Sequence, residues 1–338
     1  MTKILFALGL FISSCASKSL TVNTEAPSNL SVTSNVSTDN SGNVVFKATA
    51  TNATTYDFDF GDGTFQTVAT GEVTYKYTAS GTFNVNVIAK NSSGKTISKS
   101  IDITVAVTQS LLWSDEFNNS GSPDPSKWGY DIGTGSGGWG NNELEYYTNR
   151  TDNAEVSGGV LKIKAKKENF NGSPYTSARL ISKDKFDFKY GKIEFSAKLP
   201  AGLGTWPALW MLGSNISAVG WPACGEIDVM EHRGMELNKI FGTVHHPGHS
   251  GGNADGGTKI ISGATTGFNK YSCEWTASSV KFYINDQVYY TFPNNSSVPF
   301  NHNFFIIMNV AIGGNFAGAV DPALTSAIME VDYVRVYR

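Results

Sequence analysis

The sequence predicts an all-β protein made of two β-sandwiches. Three observations carry that expectation. Short segments alternate apolar and polar residues, Pro and Gly punctuate them throughout, and no segment holds a helical period for long. Glycine is frequent, at 35 residues, and aromatics reach 12%, while charged residues make up only 16%. A chain of 338 residues has room for two domains. The net charge of −3, with no basic run, excludes a nucleic-acid partner, whose phosphates call for clustered Lys and Arg.

In chain order, the first element is a targeting segment, residues 1–14. Lys3 is its positive end, and Ile4 to Ile12 is an apolar stretch. It is shorter than the about 20 residues that span a bilayer, which makes it a signal peptide. It ends Ile12-Ser13-Ser14-Cys15 and resembles a bacterial lipobox, in which small residues precede a Cys that is lipidated. Lipidation at Cys15 would hold the protein at a membrane surface, placing it in the bacterial cell envelope at the outer membrane. Residues 15–27 then form the lipidated Cys and a polar linker. Ala16 to Ser19 carry no acidic sorting signal, so the periplasmic and outer faces stand as alternatives.

From residue 28 to 106 the chain alternates in short strands such as Asn43-Val44-Val45-Phe46-Lys47-Ala48, Val73-Thr74-Tyr75-Lys76-Tyr77 and Thr82 to Ala89, enough for a small sandwich. The run Tyr56-Asp57-Phe58-Asp59-Phe60-Gly61-Asp62-Gly63-Thr64 invites a calcium loop but fails the EF-hand pattern, with Gly61 at position five and Val68 at position twelve. A tight turn through Gly61, Asp62 and Gly63 accounts for it. With its Phe-Gly-Asp-Gly turn, this segment resembles a PKD domain, an immunoglobulin-like module, which implies a spacer or a binding surface.

Residues 107–338 form the second domain, and its centre is Gly225-Glu226-Ile227-Asp228-Val229-Met230-Glu231-His232. Three carboxylates fall within six residues of high strand propensity. Glycosidic hydrolysis needs two positioned carboxyls, one to protonate the leaving oxygen and one to attack or to activate water. Alternation puts Glu226 and Asp228 on one face and Ile227 and Val229 on the other. A flat strand would turn Glu231 to the apolar side, where an unpaired carboxylate is costly. One inserted residue around Val229-Met230, a β-bulge, returns it to the first face. An acidic edge strand with solvated carboxylates is the competing reading.

Aromatic residues flank this strand. Trp206 and Trp210 lie four apart on one strand face, Trp139 sits in the loop Gly135 to Glu143, and Trp221-Pro222 precedes the acids. Flat rings stack on the C–H faces of sugars, while Asn141 and Arg179 offer bonds to hydroxyls; one of the four tryptophans is expected in the core alone. In Gly242-Thr243-Val244-His245-His246-Pro247-Gly248-His249, His245 ends a strand and is placed to bond a carboxylate or a sugar hydroxyl. Zinc is disfavoured because no Cys or regularly spaced carboxylate accompanies the three histidines, so His246 and His249 read as loop residues. Cys224 and Cys273 read as two reduced, buried thiols, with a disulfide between them the alternative in an exported protein, and neither is placed as a nucleophile.

Glu226-Ile227-Asp228-Val229-Met230-Glu231 resembles the Glu-x-Asp-x-x-Glu signature of glycoside hydrolase family 16. Its laminarinase (endo-β-1,3-glucanase) branch is matched by Trp113-Ser114-Asp115-Glu116-Phe117, Gly138 to Tyr147, Trp206 to Met211, Asn309 to Asn315 and Val331 to Tyr337. The resemblance covers the whole second domain. It implies a β-jelly roll with an open cleft and a retaining mechanism, with Glu226 as nucleophile, Glu231 as general acid/base and Asp228 bonded to Glu226. It implies sugar contacts at Trp139, Asn141, Arg179, Trp206, Trp210 and His245, with Trp221 beside them. No cofactor is implied for catalysis. A structural Ca2+ is implied at Glu116 and Gly159, through backbone oxygens, and at Asp332. The expected partner is a β-glucan polysaccharide met by a monomer. Mixed-linkage β-1,3/1,4-glucan is the alternative substrate, and a non-catalytic glucan-binding surface protein is the alternative of another class.

Overall fold

The computed structural model describes residues 25–338; the signal segment and the lipidation expected at Cys15 lie outside the described residues. The chain divides into two compact units. Of the described residues, one takes 25–38, Asn43–Lys76 and Gly81–Val105, and the other takes Ala106–Arg338 together with the turns Asp39–Gly42 and Tyr77–Ser80.

The first unit is two antiparallel sheets. Ser28–Val36, Asn43–Thr51 and Glu72–Lys76 make one; Phe65–Val68, Thr55–Asp59, Gly81–Lys90 and Thr96–Val105 make the other, in that order. Alternation decides what is buried. Val44, Phe46 and Ala48 point inward from one sheet and Val85, Val87 and Ala89 from the other. Phe46, Phe58 and Phe60 pack ring against ring, with centroids 5.6–6.1 Å apart. The aspartate-rich run is the expected turn. Asp59 Oδ1 accepts from the Gly61 N–H at 3.0 Å, Asp62 Oδ1 accepts from the Thr64 N–H at 3.0 Å, and the Tyr75 hydroxyl donates to Asp62 Oδ2 at 2.7 Å. Gly61 has φ +77°, and a Cβ there would meet the Asn84 carbonyl oxygen at 2.6 Å.

The second unit is a sandwich of a ten-stranded and an eight-stranded sheet. The eight-stranded sheet runs Asp255–Ile260, Lys239–His245, Glu226–His232, Thr205–Gly213, Phe304–Ile312, Arg179–Ile181, Gly129–Asp131, with Asp187–Phe188 also on Phe304–Ile312. Parity along its central strands separates two apolar groups. Leu209, Met211, Ile306, Met308, Val310 and Ile312 join the core between the sheets. Ala208, Trp210, Leu212, Phe305 and Ile307 form a smaller cluster on the opposite face. That second face carries the site. Helix is scarce, as the composition predicts: Ile216–Val219 and Gly314–Ala317 are the α-helices among the described residues.

Candidate active site

The acidic strand, Glu226–His232, contains the bulge that strand parity requires. Against Thr205–Gly213, Leu209 faces Met230 and the next residue, Trp210, faces Asp228, so Val229 is extra. Against Lys239–His245 the slip falls in the same place, with Asp228 opposite Thr243 and Glu231 opposite Phe241. The consequence is a clean sorting of side chains. Ile227, Val229 and Met230 enter the inter-sheet core. Glu226, Asp228 and Glu231 share the other face, and the reading as a solvated acidic edge is excluded because Asp228 and Glu231 are buried and the strand is central in its sheet.

Each carboxyl has its own partners. Trp221 Nε1 donates to Glu226 Oε2 at 3.0 Å. Trp206 Nε1 donates to Glu231 Oε1 at 3.1 Å, and the Thr243 hydroxyl bonds Glu231 Oε2 at 3.0 Å. His245 Nε2 lies 3.1 Å from Asp228 Oδ2 and 3.7 Å from Glu226 Oε1. Its Nδ1 accepts the backbone N–H of Gly251 at 3.1 Å, so in neutral His245 the proton sits on Nε2, facing the acids. Of the two roles open to His245 in the sequence, this is contact with a carboxylate.

Burial raises Glu226 to about 8, the Asp228 charge adding to the rise and His245 opposing it. Burial also lifts Asp228 well above the usual carboxylate range, with the Glu231 charge adding. Glu231 is raised by burial too, against His245 and the hydrogen bonds from Thr243 and Trp206. Three carboxyls packed on one face disfavour one another's ionisation, so the trio titrates as a unit, each member raised by burial.

The tryptophans divide by role. Trp210 is buried, its Nε1 donating to Asn309 Oδ1 at 2.8 Å. It lies in the cleft-side cluster; the tryptophans of the inter-sheet core are Trp128 and Trp275. Trp210 is therefore the one of the four flanking tryptophans that is buried in an apolar cluster. Arg179 explains the burial. Its guanidinium carbon sits 4.7 Å from the Trp210 ring centroid and 4.4 Å from that of Trp139, a planar cation held between two rings. Trp139 reaches it from an irregular turn, Gly138–Asn142, where its own φ is +52°. Trp206 and Trp221 keep the most direct link to the acids.

A second buried network was not read from the sequence. Asn141 Nδ2 donates to Glu143 Oε1 at 3.2 Å, and the Tyr147 hydroxyl donates to Glu143 Oε2 at 3.0 Å. Tyr147 in turn accepts from Asn309 Nδ2 at 2.9 Å, and Asn309 holds Trp210. Glu145 is fully buried beside Glu143 and accepts the Ile312 N–H at 2.6 Å through Oε2, while its Oε1 has no donor facing it. Burial, and then the Glu143 charge, push Glu145 well above the usual range. A protonated Glu145 donating to Glu143 satisfies both. The signal was present: Glu143, Glu145 and Tyr147 alternate, which puts them on one face.

That arrangement fixes a pH dependence. A carboxyl raised in the fold contributes stability that is complete below its ordinary value of 4.5 and drains away as pH rises toward the folded value. Glu145→Gln mimics the protonated form and lacks this loss. Wild-type stability is expected to fall against the variant by up to about 1.4 kcal/mol per pH unit above that range. Urea unfolding at three pH values checks it; a gap independent of pH would exclude the buried proton.

The positions implied for calcium also converge. The strands Val160–Phe170 and Leu111–Asp115 run along Ser326–Tyr337, with Leu161 opposite Val331 and Asp115 opposite Val334. Gly159 and Glu116 therefore border the gap at Asp332 and Tyr333. The Glu116 carboxylate is taken by a two-pronged pairing with Arg335, 2.9 and 2.8 Å, which leaves its backbone oxygen as the ligand the resemblance implied. The Asp332 side chain has no hydrogen-bond or ion-pair partner among the described residues. Cys224 and Cys273 are free and buried, as expected.

A strand face that offers two glutamates, both raised by burial, and aromatic rings suited to sugars defines a glycoside hydrolase. Comparison with known proteins agrees. The model of glycosyl hydrolases family 16 matches residues 141–335. A second family model, beta-glucan synthesis-associated protein SKN1/KRE6/Sbg1, matches residues 44–227 and stops short of Asp228 and Glu231. The beta-glucanase of Rhodothermus marinus is 46% identical over 244 residues, covering 68% of this chain and 85% of that protein. Glucan endo-1,3-beta-glucosidase A1 of Niallia circulans is 40% identical, covering 68% of this chain but 38% of that longer protein. Among solved structures, the Rhodothermus marinus laminarinase superposes with a TM-score of 0.66 at 45% identity, covering 68% of this chain and 98% of that one. A Zobellia galactanivorans LamA in complex with laminaritriose and laminaritetraose superposes with a TM-score of 0.62 at 41% identity, covering 68% of this chain and 99% of that one. The chain belongs to glycosyl hydrolases family 16.

Proposed function

We propose that this protein is an endo-acting, retaining β-1,3-glucanase of the laminarin type. The observation that carries the reading is the bulge, which turns Glu231 to the face of Glu226 and under the indole N–H of Trp206. In the first step the Glu226 carboxylate attacks the anomeric carbon as the glycosidic C–O bond breaks, and Glu231 gives its proton to the leaving oxygen. In the second, Glu231, now a carboxylate, takes a proton from water, whose oxygen displaces Glu226. Burial and the Asp228 charge raise Glu226, and His245 opposes them, while the Trp221 N–H donates to its carboxylate. Asp228, between the two, keeps a proton near Glu226. The Thr243 hydroxyl suits both states of Glu231, because it accepts from the protonated carboxyl and donates to the carboxylate. Trp139, Trp210 and Arg179 form one wall for the sugar chain, with Asn141 beside them.

The relatives named for laminarinase and endo-1,3-glucosidase activity support this substrate. The deciding measurement is product release from laminarin, barley mixed-linkage glucan, agarose and carrageenan, run on the full chain and on residues 107–338 alone. Short oligosaccharides released fastest from laminarin are expected. Faster release from barley glucan would reassign the substrate, and binding without release would make the protein a glucan-binding one. Equal rates for the two chains on soluble laminarin are expected if the N-terminal sandwich is a PKD-type spacer.

Two features outside the cleft belong to the same reading. Lipidation of Cys15 would anchor the enzyme to the envelope, and Cys15→Ser is expected to move it from the membrane to the soluble fraction. A calcium ion held by the Glu116 and Gly159 backbone oxygens and Asp332 would tie strand ends together. Calcium added to the metal-free protein is then expected to raise the melting temperature, and Asp332→Asn to abolish that response; a melting temperature indifferent to added calcium would remove the ion.

A further inference from the structure

His245 and His246 are neighbours at the end of one strand, and they face opposite ways. His245 meets the catalytic carboxyls. His246 turns to the other side, buried against Phe292 and Phe300 with ring centroids 5.5 and 5.9 Å away. Pro247 and Gly248 then reverse the chain. The His246 and His249 backbones exchange two hydrogen bonds, of 2.8 and 2.9 Å, across this turn. The imidazoles stack with centroids 4.8 Å apart. Asp255, the first residue of the adjacent strand, closes the group. Its Oδ2 lies 3.1 Å from His246 Nε2 and 3.0 Å from His249 Nδ1. This is the carboxylate that the spacing of the histidines did not reveal; His246 and His249 lie in the loop, as expected.

We propose that His246, His249 and Asp255 form a binding site for a divalent transition-metal ion of the zinc class, separate from the catalytic carboxyls. The three donor atoms all lie within 4.8 Å of one another. A tetrahedral zinc with ligands at about 2.0–2.1 Å needs donors roughly 3.3 Å apart, so the two short edges are within a few tenths of an ångström of that. Two neutral imidazoles and one carboxylate are a donor set that suits zinc, and they leave a net single positive charge. Each ligand sits on a constrained piece of backbone: a strand end, a tight turn and a strand start. Phe292 and Phe300 hold the His246 ring in place, so little ordering is required on binding. The His249 side chain is 51% exposed and the Asp255 side chain 34%, which leaves the fourth position to water.

The ligands bracket residues 246–255, and that segment includes Gly251, whose N–H fixes the tautomer of His245. An ion would therefore act as a clamp on the loop behind His245. It takes no part in bond making. Glu226, Asp228 and His245 also bring three possible donors within 4.8 Å, so the experiment must separate the two places.

The test uses the full chain without a histidine tag. After dialysis against zinc and then metal-free buffer, bound metal is counted by elemental analysis, and affinity is measured by competition with a chromophoric chelator. One zinc per chain is expected, with a zinc-dependent rise in melting temperature. In His249→Ala and in Asp255→Asn, both at partly exposed positions, affinity is expected to fall at least about 100-fold and the rise to vanish. Matching melting curves of all three chains in chelator show that the variants fold. Undiminished zinc binding in both variants would overturn the proposal, as would its loss only in Asp228→Asn, which would place the ion on the catalytic carboxyls. Absence of binding at micromolar zinc would do the same.

Discussion

Glu226→Ala is expected to lower turnover of laminarin by at least about 10⁴-fold, the scale on which enzymes lose a covalent nucleophile. Sodium azide is expected to restore a substantial part of it. The shortened side chain leaves room where the carboxylate stood, beneath the Trp221 indole that donated to it at 3.0 Å. Azide can occupy that space and attack the anomeric carbon from the same side as Glu226. Glu231 is untouched, so it still protonates the leaving oxygen. The product is a glycosyl azide of α configuration, inverted relative to the β-glucan, because one displacement replaces two. Proton NMR of the anomeric signal reads this directly. In the unmodified enzyme the first product should keep the β configuration. An α-configured sugar from wild-type enzyme, with no azide adduct from the variant, would show an inverting enzyme and remove Glu226 from the nucleophile's role.

The parts of the site that lie on one strand were legible in the sequence, and those that cross between strands were not. Glu226, Asp228 and Glu231 break the period of two, and only a bulge prevents burial of Glu231 beside Ile227 and Val229; local pattern and the cost of a buried charge suffice to demand it. The shared face of Trp206 and Trp210 follows from parity in the same way. The partners reached across strands are different. Thr243 reaches Glu231 and Asn309 reaches Trp210 because two separate strands flank Thr205–Gly213 and Glu226–His232 in the sheet order, and strand order leaves no mark in local composition. Asp255 joins His246 and His249 for the same reason. Glu143 and Glu145 show a third case. Their alternation was visible, but the burial that makes Glu145 hold a proton depends on packing against the Ile312 strand end. Arg179 illustrates the limit from the other side: its use as a polar contact was readable, its position between Trp139 and Trp210 was not. The N-terminal unit was legible as strands and as a turn at Gly61, since aspartate caps and positive φ are local properties.

Glu231→Gln separates the second carboxyl from the first. The amide oxygen can still accept from Trp206 Nε1, now 3.1 Å from Glu231 Oε1, and the amide NH₂ can donate to the Thr243 hydroxyl, so the fold and the wall of the cleft should survive. What is lost is the proton and the base. Turnover of laminarin is expected to fall by about 10²–10⁴-fold, the range of general acid–base catalysis. An aryl β-glucoside of a laminari-oligosaccharide with a good leaving group should behave otherwise. Its departure needs little protonation, so Glu226 still attacks and the phenolate is released in a burst. The second step then stalls, because no carboxylate remains to deprotonate water, and the glycosyl–enzyme accumulates where mass spectrometry can detect it. The pH profile should change with it. Burial raises Glu231 above the ordinary carboxylate range, so the wild-type enzyme keeps its acid protonated to higher pH than an exposed glutamate would, and activity falls only as that proton leaves. The glutamine has no such proton, and the alkaline limb of the bell should disappear from the variant's residual rate. A variant that retained the limb, or that showed neither burst nor adduct, would assign the acid to Asp228, the carboxyl that burial raises most clearly beside it.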